Sequence, residues 1–224
     1  MVEPAESFVL KPSSLTDALF DSLRKRIING GIAPGEKLTE ARVATEYSVA
    51  RPTAKACLER LTALGLLRRS AHKSAVVPEL DAGEILDLFL GREAVERFAV
   101  ATLAERGAPI PEAALEAQRL IERAVQELDF PAQVESDIMF HSALVAATGS
   151  TRLSKMHELI MGEVQLTMGQ AQAHKTTHPS NIEREHAAIL AAIAAGNAKG
   201  AEDALLFHLH AARDRLVKRL DAKG

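Results

Sequence analysis

From Asp81 to the C-terminus every substantial segment of the chain carries apolar residues at helical spacing, and no strand pattern is visible. Asp81-x-x-Glu84 reads as a capping box that starts the first long helix. The periodicity places helices near 82–106, 111–129, 131–147, 151–174, 181–195 and 198–220. Gly107-Ala108-Pro109, Phe130-Pro131, Gly149-Ser150, His178-Pro179 and Gly196 punctuate them. The expected architecture for residues 79–224 is an all-α bundle of about six helices.

Aspartate or histidine interrupts three of these stripes. In the third helix the stripe runs Val134, Asp137, His141, Leu144, so a carboxylate and an imidazole point inward four residues apart. In the fifth it runs Ile182, His186, Ile189, Ile193, and in the last Ala201, Leu205, His208, Ala212, Leu216. An ionised carboxylate among apolar side chains is costly unless it is paired or bound to metal. One inward histidine is ordinarily a core residue bonded to a neighbour. Asp137, His141, His186 and His208 together, on three helices, instead suggest a site for one divalent transition metal per chain. Imidazole and carboxylate suit zinc, nickel, iron or manganese. His157, His174, His178 and His210 lie off the stripes or in loops and receive no role. Arg92 lies on an apolar stripe with Leu88, Val95 and Ala99. A buried guanidinium wants an anion, either a carboxylate effector or a carboxylate of the protein such as Asp137 or a glutamate.

The first 78 residues read differently. Ser13 or Ser14 can cap a helix through Leu15, Leu19, Leu23 and Ile27, which Asn29-Gly30-Gly31 ends. After the Pro34-Gly35 turn, a short helix follows with Thr39 as its cap. Beyond Ser48-Val49-Ala50 comes a third helix with Ala54, Cys57, Leu58, Leu61 and Leu64 on its stripe, closed by Gly65. Leu66-Leu67 and Ala75-Val76-Val77 are β-prone and flank the basic stretch Arg68, Arg69, His72, Lys73. This order makes a winged helix-turn-helix, whose second motif helix enters the major groove. Arg51 and Lys55 stand on one exposed face of that helix, and arginine there can donate two hydrogen bonds to guanine. Arg42 and Thr53 complete the candidate DNA-reading set, and Arg68, His72 and Lys73 would set the wing on the backbone or minor groove.

Charge agrees with this division. Residues 1–78 carry a net charge of +4 and the remainder −7, as for a basic nucleic-acid module joined to an acidic partner domain. The single cysteine cannot form an internal disulfide. No secretory signal or membrane-length apolar run is evident, so the expected location is the cytoplasm, with no membrane partner.

Residues 15–78 resemble the DNA-binding domain of the GntR family of bacterial regulators. The resemblance rests on Leu23-Arg24-x-x-Ile27, Pro34-Gly35-Glu36-x-Leu38-x-Glu40, Val49-x-Arg51 and Leu58-x-x-Leu61-x-x-x-Gly65-Leu66. Ala50 stands where the family usually has a capping serine, and Lys55 where it has a second arginine. Ala41 stands where its best-known members have another DNA-reading arginine, and the usual wing glycine is replaced around Ser74. Residues 82–220 resemble the helical ligand-binding FCD domain of the FadR-type subgroup, in its shorter, six-helix, VanR-like branch. The matching text is Asp137-x-x-x-His141, His186 before Ile189-Leu190-x-x-Ile193, and His208-Leu209. The resemblance implies that these four residues hold a mononuclear metal, with positions left for water or an organic acid.

The expected function is a ligand-responsive transcriptional regulator, a repressor, that binds a palindromic double-stranded DNA operator as a homodimer. Its effector would be a small carboxylate or sugar acid anchored on the metal. Two alternatives use the same residues: a helical metalloenzyme acting on a small organic acid, and a regulator whose metal is purely structural. Against the enzyme, the chain has no His-Glu-x-x-His motif, no phosphate-cradling glycine loop and no nucleophile with a paired base.

Overall fold

The computed structural model describes residues 15–69, 74–171 and 179–221. The chain order is α1 (Leu15–Ile28), β1 (Lys37–Leu38), α2 (Glu40–Glu46), α3 (Arg51–Ala63), β2 (Arg68–Arg69) and β3 (Ala75–Val76). Then follow α4 (Ala82–Glu105), α5 (Glu112–Gln126), α6 (Phe130–Ala146), α7 (Thr151–Ala171), α8 (Pro179–Ala194) and α9 (Ala198–Asp221). The fold is a winged helix-turn-helix followed by a helical bundle.

The winged region forms because α1 and α3 each offer one apolar stripe. Leu19, Phe20, Leu23 and Ile27 of α1 meet Ala54, Cys57, Leu58 and Leu61 of α3, all buried. Burial raises the Cys57 thiol to about 11, so it is a small core residue rather than a nucleophile. The Thr39 side chain caps α2 by accepting from the Arg42 amide. The expected caps Ser13 and Ser14 lie outside the described residues.

The wing differs from the expectation in two ways. Its first strand is Arg68–Arg69, not Leu66-Leu67. The amides of Leu66 and Leu67 both return to the Leu61 carbonyl, so these residues finish the α3 terminus and bury their side chains instead of joining a ladder. The sheet also has a third strand that the sequence reading missed, in the order β1-β3-β2, with both pairings antiparallel. Lys37–Leu38 is too short to show alternation.

The bundle starts with the expected capping box, Asp81 accepting from the Glu84 amide while the Glu84 side chain accepts from the Asp81 amide. Its core joins α4, α5, α6, α8 and α9 through Ile85, Phe89, Ile121, Phe140, Ile193 and Leu205. Helix α7 faces the other way as well. Leu166 of α7 belongs to the winged-region core, and Arg24 of α1 bonds Gln165 through Nε and Nη2. Gly162 lies so close to the end of α3 that a Cβ there would stand 2.1 Å from the Leu64 carbonyl oxygen. No helix among the described residues is long and apolar enough to cross a membrane.

Candidate metal centre and nucleic-acid interface

Helix α6 is capped by Asp129, whose side chain accepts from the Ala132 amide, and it presents Asp137 and His141 one turn apart. Helices α8 and α9 bring His186 and His208 to the same point. All four side chains are buried. His208 Nε2 lies 3.1 Å from His141 Nε2 and 3.4 Å from His186 Nε2. Asp137 Oδ1 lies 3.3 Å from His186 Nε2, 3.8 Å from His141 Nε2 and 4.0 Å from His208 Nε2. Donors about 2.1 Å from a common ion stand roughly 3.0 Å apart at right angles and roughly 3.4 Å apart at tetrahedral angles. The three shortest separations match these values and the two longer ones exceed them, so the group could close on one small transition-metal ion with a modest inward movement of Asp137; its Oδ2, buried with no hydrogen bond among the described residues, offers a second carboxylate oxygen.

The surroundings orient these donors. Glu185 Oε2 stands 2.7 Å from His208 Nδ1, and Glu96 Oε2 stands 2.7 Å from His141 Nδ1, which turns each Nε2 toward the common point. The Phe140 ring stacks on His186 at 3.9 Å between centroids. Burial alone would raise the Asp137 carboxyl, but the hydrogen bond from His186 and the charges of the three imidazoles hold it well below the carboxylate range. Burial lowers His186, and burial together with its two imidazole neighbours lowers His208 well below the ordinary histidine value. Asp137 is thus favoured in its ionised form, and His186 and His208 in the neutral, lone-pair-bearing form that a metal requires.

Sequence reasoning missed Glu96, Glu185 and His157. His157 is not a spectator: it is buried on α7 and its Nε2 lies 3.1 Å from Glu96 Oε1. Glu96 also receives the Arg92 Nε bond at 2.8 Å. Burial would raise the Glu96 carboxyl, yet Arg92, His141 and His157 hold it well below its usual value. The available signal was Glu96 four residues after Arg92, an acid–base pair on an otherwise apolar face. Arg92 is fully buried, and the partner found for its Nε is this internal glutamate. Both of its Nη atoms remain without a hydrogen bond among the described residues. His210 is a partly buried residue bonded to Glu93, while His174 and His178 lie outside the described residues.

On the winged region, Arg51 opens α3 and is exposed, as is Lys55 one turn on, with Thr53 half-buried between them. No ion pair engages Arg51 or Lys55 among the described residues. The Ala50 cap makes no side-chain hydrogen bond, as its chemistry requires. Arg42 is held by Glu36 at 2.6 Å and stands 3.8 Å from Glu46. Arg68 is engaged by Glu84 of α4 at 2.5 Å and Glu163 of α7 at 3.6 Å, which ties the wing to the bundle in this arrangement. Arg69 pairs with Glu59 at 3.0 Å. His72 and Lys73 lie outside the described residues.

The description "Bacterial regulatory proteins, gntR family" matches residues 15–77, and "FCD domain" matches residues 84–211. The chain is a GntR-family regulator with an FCD domain. This GntR-family regulator is 27% identical over 209 residues to the HTH-type transcriptional regulator LutR of Bacillus subtilis, covering 85% of this chain and 95% of LutR. It is 30% identical over 146 residues to the HTH-type transcriptional repressor GlaR of Escherichia coli, covering 61% of this chain and 64% of GlaR. The crystal structure of a GntR regulator from Rhodococcus sp. RHA1 superposes with a TM-score of 0.75 at 25% identity, covering 92% of this chain and 99% of that one. The GntR-family regulator thus belongs with DNA-binding transcriptional regulators, not enzymes.

Proposed function

We propose that this regulator is a cytoplasmic repressor that binds a two-fold symmetric operator as a homodimer and is controlled by a small carboxylate or sugar acid held on a metal in the FCD domain. The division falls after Pro78, with residues 1–78 reading DNA and 79–224 sensing the effector. The observation that carries the reading is the convergence of Asp137, His141, His186 and His208 beside a guanidinium, Arg92, whose Nη atoms make no hydrogen bond among the described residues. A bound metal supplies Lewis acidity and open coordination positions for an acid group. Arg92 supplies fixed hydrogen-bond donors, and its charge is felt at both His186 and His208. Arg51 and Lys55 read base edges, with Arg42, Thr53, Arg68, His72 and Lys73 as supporting contacts. Repression is supported by the likeness to GlaR, whose name describes a repressor.

The homodimer is supported by an apolar row along α4. Leu86, Leu90 and Phe98 are 50%, 64% and 58% exposed, and with Ala94 they follow the four-residue ridge by which helices pack. Effector binding then changes DNA affinity only as far as the ligand prefers one spacing of the two readers.

Metal analysis of the purified protein tests the centre. About one transition-metal ion per chain is expected in the wild type and none in the Asp137→Ala/His141→Ala variant. Equal metal in both, or none in either, removes the site. Arg51→Ala should abolish sequence-specific DNA binding without changing the melting temperature; an unchanged footprint would defeat the reading of α3.

A further inference from the structure

A cavity of about 600 Å³ opens where the winged region meets the bundle. Its walls come from both: Phe20, Arg24 and Leu64 on one side, Ile138, His157 and Met161 on the other. The volume lies within the roughly 300–1,000 Å³ of small-molecule pockets. None of the four candidate metal ligands lines it. Helix α6 separates the two places, presenting Asp137 and His141 to the metal centre and Ile138 and Ser142 to this cavity.

The chemistry of the lining is specific. Arg24 is half-buried, and the partner found for its guanidinium is the neutral amide oxygen of Gln165, with no carboxylate pairing it among the described residues. Arg60 stacks its guanidinium on the Phe20 ring at 3.9 Å and pairs outward with Asp17. Glu158, exposed, also reaches the lining. An uncompensated guanidinium at the edge of an apolar chamber favours a ligand with one acid group and an apolar body.

We propose that this junction cavity is a second small-molecule site, separate from the metal centre, which takes an amphipathic monoanion. Arg24 holds the acid group, and Phe20, Ile138 and Met161 enclose the apolar body. Both regions contact such a ligand, so its affinity depends on how the DNA reader sits on the bundle, the condition for linkage to DNA binding. Its inner wall, His157, also bonds Glu96, which contacts the metal-site residue His141.

Calorimetric titration of the full-length protein with naphthoate, before and after chelator treatment, tests the site. One saturable equivalent per chain is expected, unchanged by removing metal and weakened roughly tenfold or more by Arg24→Gln, which removes the charge-assisted bond. Met161→Trp fills the chamber without touching that bond and is expected to weaken binding similarly, so a folding defect in one variant leaves the other to decide. The absence of saturable binding overturns the proposal, as does binding that survives both substitutions. Binding that disappears with the metal places the acid at the metal centre and overturns it too.

Discussion

Glu185 and Glu96 have opposite fates in burial, and each stands behind a candidate metal ligand. Glu185 is raised by burial despite Arg215 nearby, whereas Glu96 is kept ionised by Arg92, His141 and His157. Each stands 2.7 Å from the Nδ1 of a candidate ligand. Glu185→Gln should therefore weaken metal affinity by about 10–100-fold while leaving the four ligands in place, as measured by chelator competition. An unchanged affinity would show that His208 is oriented by packing alone. The lowered histidines also set a pH dependence for the metal-free protein. Below the ordinary value of 6.5 the unfolded chain binds protons that folded His186 and His208 refuse. Their contribution is present above that pH and is lost as pH falls toward the depressed folded values. Asp137 and Glu96 act in the same direction at lower pH, and Glu185 in the opposite sense. Melting of chelator-treated protein between pH 7.5 and 5 should show falling stability, absent in His186→Ala/His208→Ala. A flat profile would mean that the two histidines titrate alike in the folded and unfolded chains.

At the scale of elements, periodicity was legible because each bundle helix buries one stripe. The six expected bundle helices correspond to α4 through α9, with ends displaced by a few residues, as where Pro179 opens α8 rather than preceding it. The wing was less legible, since two-residue strands carry no alternation and are decided by which neighbour offers a ladder. The contact between α7 and the end of α3 left no local trace, because Gly162 sits within a helix where its role depends on Leu64, far away in sequence. Gly162→Ala should force the two helices apart, costing about 1–3 kcal/mol. A fall in melting temperature of several degrees, with faster proteolysis between the winged region and the bundle, is the expected result. Unchanged values would show that the reader is not seated on α7 in solution.

For the whole molecule, the row on α4 is the feature with the most immediate consequence. Leu90 is a large apolar side chain on a helix whose opposite face already packs against α9. A charge there should be harmless to a monomer and disruptive to a dimer packed on that row. Leu90→Glu is expected to halve the mass seen by sedimentation and to weaken operator binding, with the melting of secondary structure little altered. A dimer that persists would place the interface elsewhere. The candidate metal centre and the junction cavity lie on opposite sides of α6, so a ligand that shifted this helix at one place would be felt at the other.

Sequence alone determined the helical class, the order of the winged region, the four inward donors and the exposed Arg51–Lys55 pair. These follow from spacing along a single helix, which covalent geometry imposes before any packing occurs. Only the tertiary structure decided that His157, Glu96 and Arg92 form one buried chain behind His141, that Arg68 pairs with the bundle, and that a cavity separates reader from sensor. Those relations join residues on different helices, and nothing in the local pattern records which faces will meet, because long-range packing selects among them only once the chain has closed on itself.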